Sequence, residues 1–418
     1  MSKRPHKGLT LRKNFVWAFA GNAAYTGAMA VMLMSMTKLL PAEEVGLFFL
    51  ATAIITPIQM FTNLQLRAVE GSDAKKEYLF GEYLALRIIT VFVLVAVSVA
   101  ISVLIRKGTH MILVVSAVVL YKCADCYADI TYGLLQKYER LDKVALSRML
   151  RASIGVGVFV AIMWATRNIA LSFLAIAATW LALFLLVDIR FVRAYENPTP
   201  VFRMGRLARL AVLSMPLGLT MAITTLNTRL PQYFIEKYSP TSAQLGYFGS
   251  LAYVVVALRL AVSSLGQSAM PRLSKYYIGN LRAYFRLLGK MVLVGAGIGL
   301  LGVLGGALFG KKLLTLAYTS EYAQHNTVFI WLLVSGAVGY VGTMLCVGLT
   351  AARLFKVQVP LIATVTLVTL FASWVLIPRH GLVGAAWVML AGSLTTAVGA
   401  LAVILINAVT HANRHRKA

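Results

Sequence analysis

Lys122, Asp125, Asp129, Tyr132 and Gln136 recur at intervals of three or four residues within an otherwise apolar stretch. That spacing puts them on one face of an α-helix. Two carboxylates, an ammonium and two hydrogen-bonding groups on one stripe can hold a cation, exchange a proton or solvate a polar ligand. In a lipid-embedded helix each charge must face a partner or a water-filled cavity, because stranding it near the bilayer centre costs about 2.5–3.5 kcal/mol on insertion scales. Lys122 has the reach to neutralise Asp125 within the helix, which leaves Asp129 formally unpaired. Asp129, with Asp125, is therefore the first candidate for proton or cation coupling, against a purely structural reading of the charges. A second stripe, Thr52, Thr56, Gln59, Asn63 and Arg67, has the same periodicity, and Asn22 and Tyr25 add two further polar groups. Amides in such positions either line a cavity or glue helices together, and Arg67 at the end of its stripe has snorkelling to lipid phosphate as its ordinary role. Arg229, close to Pro216, Asn227 and Pro231, and Arg259 are the remaining intramembrane cations. Guanidinium stays charged and forks onto phosphate oxygens, so Arg229 and Arg259 with Lys122 point to an anionic head group. The alternative is that backbone carbonyls or Asp129 satisfy them.

The elements that must carry these residues are twelve apolar stretches, each about long enough to cross a bilayer. They lie near residues 14–37, 46–66, 84–105, 111–136, 152–166, 169–189, 210–236, 245–269, 288–309, 325–350, 358–377 and 382–407. The gaps alternate in charge. With a cytoplasmic amino terminus, one side holds 29 of the 40 Lys and Arg, running from Lys3 through Arg67, Arg87, Arg148, Arg151 and Arg206 to Lys417. The opposite side holds 8, among them Lys38, Arg106, Lys107, Arg167 and Lys237. The positive-inside rule then puts both termini in the cytoplasm. The expected fold is an all-α polytopic membrane protein of about twelve transmembrane helices, in two six-helix bundles facing a central cavity. The expected lobes are 1–196 and 197–418, joined by the basic, proline-containing segment 190–209. A short internal echo agrees with this division: AEEVGLFFLATA at 42–53 and SAQLGYFGSLAY at 242–253 stand 200 residues apart, pairing Gly46 with Gly246 and Phe48 with Phe248. Parallel repeats of two helical bundles are a common transporter plan, with the substrate path between them.

Composition removes other classes. A hydrophobic fraction of 59% and a mean hydropathy of +0.78 leave too much apolar surface for a soluble protein. The net charge of +26 sits in short gaps flanking spans rather than on one folded domain, so the basic residues report topology and contact with anionic lipid, not nucleic-acid binding. The longest outer gap, 310–324, carries only Lys311, Lys312 and Glu321 as charged groups, too little for a membrane-embedded glycosyltransferase or polymerase. Cys123 and Cys126 form a lone CxxC inside a span, and the histidines are scattered, so neither a metal nor a redox centre is expected. No cofactor is expected, and no nucleotide-binding motif is present. Ala28-Met29-Ala30 loosely imitates a signal-peptidase site, but the apolar run continues past it and reads as an uncleaved span. Gly295, Gly299, Gly302, Gly305 and Gly306 give span nine a small-residue face suited to close helix packing.

Asn14-Phe15-Val16-Trp17 with Gly21-Asn22, Glu44-Val45-Gly46-Leu47-Phe48, and Pro57 through Asn63-Leu64-Gln65-Leu66-Arg67 resemble the amino-terminal half of the polysaccharide transporter family. That family contains the Wzx-type O-antigen flippases, within the multidrug, oligosaccharidyl-lipid and polysaccharide exporter superfamily. Asp129 to Gln136 with Glu139-Arg140 is similar to its fourth span and the following loop. Leu245 to Phe248 through Tyr253, then Gly266-Gln267 and Pro271-Arg272-Leu273, is similar to its eighth span. One departure concerns span seven, where members often show Asn followed by Pro-Arg-Tyr; here Arg229 stands one helical turn earlier, before Pro231 and Tyr233. The resemblance implies a bacterial inner-membrane flippase for polyprenyl-pyrophosphate-linked oligosaccharide, serving O-antigen, capsule or exopolysaccharide assembly by alternating access. It implies a proton or sodium ion, membrane lipids, a polysaccharide polymerase and glycosyltransferases as partners. The physical reading of the intramembrane residues is compatible with it: Lys122, Arg229 and Arg259 would attract the pyrophosphate while Gln59, Asn63 and Asn22 solvate sugars. The rival is a cation-coupled multidrug or metabolite antiporter of the same superfamily.

Overall fold

A backbone surrounded by hydrocarbon must satisfy its own hydrogen bonds, and the chain does so with helices. The computed structural model describes residues 11–73, 77–105, 108–239, 241–352 and 354–417, and among these no strand occurs. Lys3, Arg4, Lys7, Lys75, Lys76, Arg106, Lys107 and Arg353, which enter the charge asymmetry, lie outside the described residues. Ten helices among the described residues are long and apolar enough to cross a membrane. The protein is an all-α, multi-pass membrane protein.

The expected spans fall in order onto long helices. The amino-terminal ones are α1 (Leu11–Leu39), α2 (Ala42–Thr62), the short α3 (Leu66–Ser72), α4 (Phe80–Ile105) and α5 (Thr109–Lys137). Next come α6 (Leu141–Leu150), a π-helical turn (Arg151–Gly155) and α7 (Val156–Thr166), then α8 (Ile169–Leu183), a second π turn (Phe184–Asp188) and α9 (Ile189–Arg193). The series continues with α10 (Met204–Tyr238), α11 (Ala243–Gly279), α12 (Leu281–Ala317), α13 (Ser320–Gln324), α14 (Asn326–Ala351) and α15 (Phe355–Lys417). Expected span eight coincides with α11, which is not among the ten. α15 holds the last two expected spans, broken at Gly381, whose φ of 53° and ψ of −128° interrupt the helix. Positive φ at low cost is what glycine offers there.

Two expectations need correction. Span five begins well before residue 152: α6, the π turn and α7 form one rod from Leu141 to Thr166. Arg148 and Arg151, read as loop cations, therefore belong to the span, and Arg151 is fully buried. Arg87, also read as a loop cation, lies within α4 and is 1% exposed. Long basic side chains near helix ends look alike in sequence whether they point to water or inward, so the charge count alone could not separate them.

Close packing divides the chain into two compact units, residues 1–226 and 227–418. The sequence placed the lobe boundary at 196/197; the division by packing falls inside α10. The first unit is built around α5, which packs on α2, α3, α4 and α8, with a core that includes Phe80, Tyr83, Ile130, Leu134 and Leu135. The second is built around α14, flanked by α11, α12 and α15, with Tyr284, Leu288, Tyr340 and Met344 in its core. The glycine face of α12 meets α14 closely: a Cβ at Gly299 would stand 2.5 Å from Ala337 Cα. Gly299→Ala should therefore lower the melting temperature of the purified protein, by the roughly 1–3 kcal/mol typical of overpacking. An unchanged melt would mean that α12 shifts freely away from α14.

Candidate functional site

The break after α2 creates the site. Pro57 removes one helical hydrogen bond from α2, the helix ends at Thr62, and Leu64 and Gln65 take left-handed φ values of 50° and 49° before α3 starts at Leu66. The polar stripe of span two is thus not one continuous face: Arg67 reaches α5 from a separate short helix. Its guanidinium pairs with Asp129 (Nη1 to Oδ1, 3.3 Å) and donates from Nε and Nη2 to Gln136 Oε1, each at 3.4 Å. From α4, Arg87 donates to Asn63 Oδ1 and places Nη2 3.9 Å from Asp129 Oδ2. The expectation that Asp129 is unpaired is therefore corrected. Its two partners lie 62 and 42 positions away in the sequence, out of reach of any local spacing rule.

A cavity of about 450 Å³ in the first unit is lined by Tyr25, Gln59, Asn63, Arg67, Asp125, Asp129, Tyr132, Gln136 and Arg148, among others. Tyr132 anchors its wall. Its hydroxyl meets Ser147 Oγ at 2.8 Å, and the guanidiniums of Arg67 and Arg148 lie 5.6 and 5.3 Å from its ring centroid. Both contacts fall within cation–π range. Arg148 also donates to Asn22 Oδ1. On the deeper side, Gln59 Nε2 lies 3.4 Å from Cys126 Sγ, which ties the CxxC into helix packing. Arg67 and Asp129 stay 27% and 31% exposed, so a ligand can displace either from the other.

Of the expected site residues, the cavity brings together Gln59, Asn63, Asp125 and Asp129, with Asn22 held at its edge by Arg148. Asp125 forms no ion pair among the described residues, so the expected Lys122–Asp125 pair is replaced by another arrangement: the Lys122 ammonium lies 5.1 Å from the Tyr121 ring centroid, and Lys122 is not among the cavity-lining residues. Arg229 and Arg259 belong to the second unit. Arg229 donates to Gln232 Oε1 at 3.1 Å, and exposed Arg259 runs beside Gly339. Arg67 and Arg148 carry the cavity's positive charge. Arg67 was visible in sequence as the end of a stripe, whereas Arg148 had no signal separating it from topological lysines and arginines. No group of His, Cys, Asp and Glu suited to a metal ion occurs among the described residues.

The family model described as "Polysaccharide biosynthesis protein" matches residues 11–277. The chain is 27% identical over 382 residues to the capsular polysaccharide biosynthesis protein CapF of Staphylococcus aureus, covering 90% of this chain and 94% of that protein. Among solved structures, it is similar to the lipid II flippase MurJ in an inward closed conformation, with a TM-score of 0.74 at 11% identity, over 93% of this chain and 87% of that one. An inward-facing multidrug resistance MATE family transporter gives a TM-score of 0.69 at 14% identity, over 97% and 96%. At such identities both structures speak for the fold alone.

Proposed function

The chain belongs to the polysaccharide biosynthesis protein family, and from that premise we propose that it is a flippase moving polyprenyl-pyrophosphate-linked oligosaccharide across the bacterial inner membrane by alternating access. The observation that carries this reading is the first-unit cavity, where two exposed-edge arginines, Arg67 and Arg148, converge on Tyr132 among amides. Forked guanidiniums match a diphosphate, and Gln59, Asn63, Asn22 and Gln136 supply donors and acceptors for sugar hydroxyls. The apolar tail stays in the bilayer. Lys122, Arg229 and Arg259 are the further cations of this reading, and Asp125 and Asp129 its ion-coupling carboxylates. A proton or sodium ion that binds one state of the carrier more tightly shifts the population toward it. Both termini face the cytoplasm, where glycosyltransferases build the substrate; a polymerase takes it on the far side. The protein acts as a carrier and not as an enzyme.

The test is the fate of the lipid-linked unit in cells lacking this protein, with and without complementation. The flippase reading expects the complete unit to be trapped on the cytoplasmic face. The similarity to a MATE transporter favours a second reading, cation-coupled drug or metabolite antiport, which expects normal translocation with altered sensitivity to cationic compounds. Within the flippase reading, Arg259→Ala should reduce export at least tenfold at normal protein level, the loss of one charge-assisted contact worth about 1.5–3 kcal/mol. Retained export would remove Arg259 from the substrate path.

A further inference from the structure

Glu70 on α3 is 1% exposed, and neither carboxyl oxygen accepts a hydrogen bond from any described protein group. It is pressed onto α5 at Gly133: a Cβ there would stand 2.5 Å from Glu70 Oε2 and 3.1 Å from Arg67 Cα. The glycine is what admits the carboxyl. A buried carboxylate with no donor and no paired cation is far costlier than a buried neutral carboxyl. Among the described residues, the ionisable groups that face it are Lys137 and Asp129 from α5, Arg87 and Tyr83 from α4, and Glu196 from the segment after α9. Every one of the cations is engaged elsewhere: Lys137 with Asp73 at 3.8 Å, Arg87 with Asn63 and Asp129, and Arg67, on the helix of Glu70 itself, with Asp129 and Gln136.

We propose that Glu70 is a proton-binding site, occupied by a proton in this conformation, whose ionisation competes with Asp129 for the arginines that line the cavity. When the proton leaves for water at the edge of α3, the new carboxylate must recruit Arg67, Arg87 or Lys137. Recruiting Arg67 or Lys137 breaks a present ion pair, while Arg87 offers Nε and Nη2 groups that donate to no described acceptor now; either way the position of α3 on α5 changes. An anion bound by Arg67 occupies the cation that the carboxylate needs, so anion binding and proton binding at Glu70 reinforce each other, and by linkage the effect is reciprocal. This goes beyond assigning coupling to Asp125 and Asp129, and it rests on the cavity geometry rather than on the identity of the lipid.

Infrared titration of the purified full-length protein reads the state directly, through the carbonyl stretch of a protonated carboxyl. The expected result at neutral pH is a band that is lost in Glu70→Gln and kept in Asp125→Asn. In Asp129→Asn the band should disappear at a lower pH, because the freed arginines turn to Glu70. A spectrum with no Glu70-dependent band, or a titration that Asp129→Asn leaves unmoved, overturns the proposal. Gln reproduces the shape and neutrality of a protonated Glu, so Glu70→Gln should also keep the wild-type melting temperature near neutral pH; a large drop would show that Glu70 is natively ionised. Since no lipid-linked substrate enters these measurements, their failure leaves the flippase reading standing, and trapping experiments test that reading separately.

Discussion

Asp188→Ala should abolish accumulation of folded protein in the membrane. Asp188 and Arg151 are 0% and 1% exposed and pair at 2.9 Å, each within a π-helical turn. The π turn of Arg151 leaves its carbonyl to the Trp180 indole, which donates to it at 3.3 Å, while the guanidinium lies 5.2 Å from the Trp180 ring centroid. Removing the carboxylate strands a buried guanidinium, a change that costs about 3–5 kcal/mol out of a total stability of roughly 5–15 kcal/mol. The pair also bears on the cavity. Arg151 Nη1 reaches the Ala124 carbonyl at 3.4 Å, one residue before Asp125, so it helps to set the rotation of α5. Fluorescence-detected gel filtration and a thermal melt check the loss. The double change Arg151→Met with Asp188→Leu should restore folded protein, because an apolar pair of similar volume removes both charges at once. A normal melt for Asp188→Ala would mean that the guanidinium finds water or another acceptor.

Arg67→Gln should weaken transport of the lipid-linked unit by about tenfold to a hundredfold, the equivalent of one charge-assisted contact of roughly 1.5–3 kcal/mol. The single change has two meanings, since it also leaves Asp129 with only Arg87 at 3.9 Å. Arg67→Gln combined with Asp129→Asn separates them. If Arg67 grips the diphosphate, the double variant transports less than Asp129→Asn alone; if Arg67 merely neutralises Asp129, the two transport equally. Initial rates in proteoliposomes at several substrate concentrations distinguish a loss of apparent affinity from a loss of turnover.

Much of this site was legible one helix at a time. Asp125, Asp129, Tyr132 and Gln136 do share a face of α5, and Gln59 and Asn63 do reach the same cavity, because a 3.6-residue period is a local property of the chain. What spacing could not supply was the break at Leu64 and Gln65, where two non-glycine residues hold left-handed φ and swing Arg67 onto α5. Nor could it separate Arg148, Arg151 and Arg87 from the cations that merely flank the spans. Both kinds stand near span ends, and only packing decides which of them turn inward. Glu70 carried no sequence signal, since one acidic residue after a span reads as an ordinary solvated group.

The sequence by itself determined that this is a multi-pass helical membrane protein with polar stripes on spans two and four. Hydrocarbon thickness demands about 20 apolar residues per crossing, and hydrocarbon tolerates no unsatisfied backbone, so length and hydropathy suffice. Tertiary structure alone decided which charges meet. Asp129 finds Arg67 and Arg87, Arg151 finds Asp188, and Glu70 finds no partner among the described residues, because Coulomb and hydrogen-bond energies depend on distances across helices that no periodicity along the chain specifies.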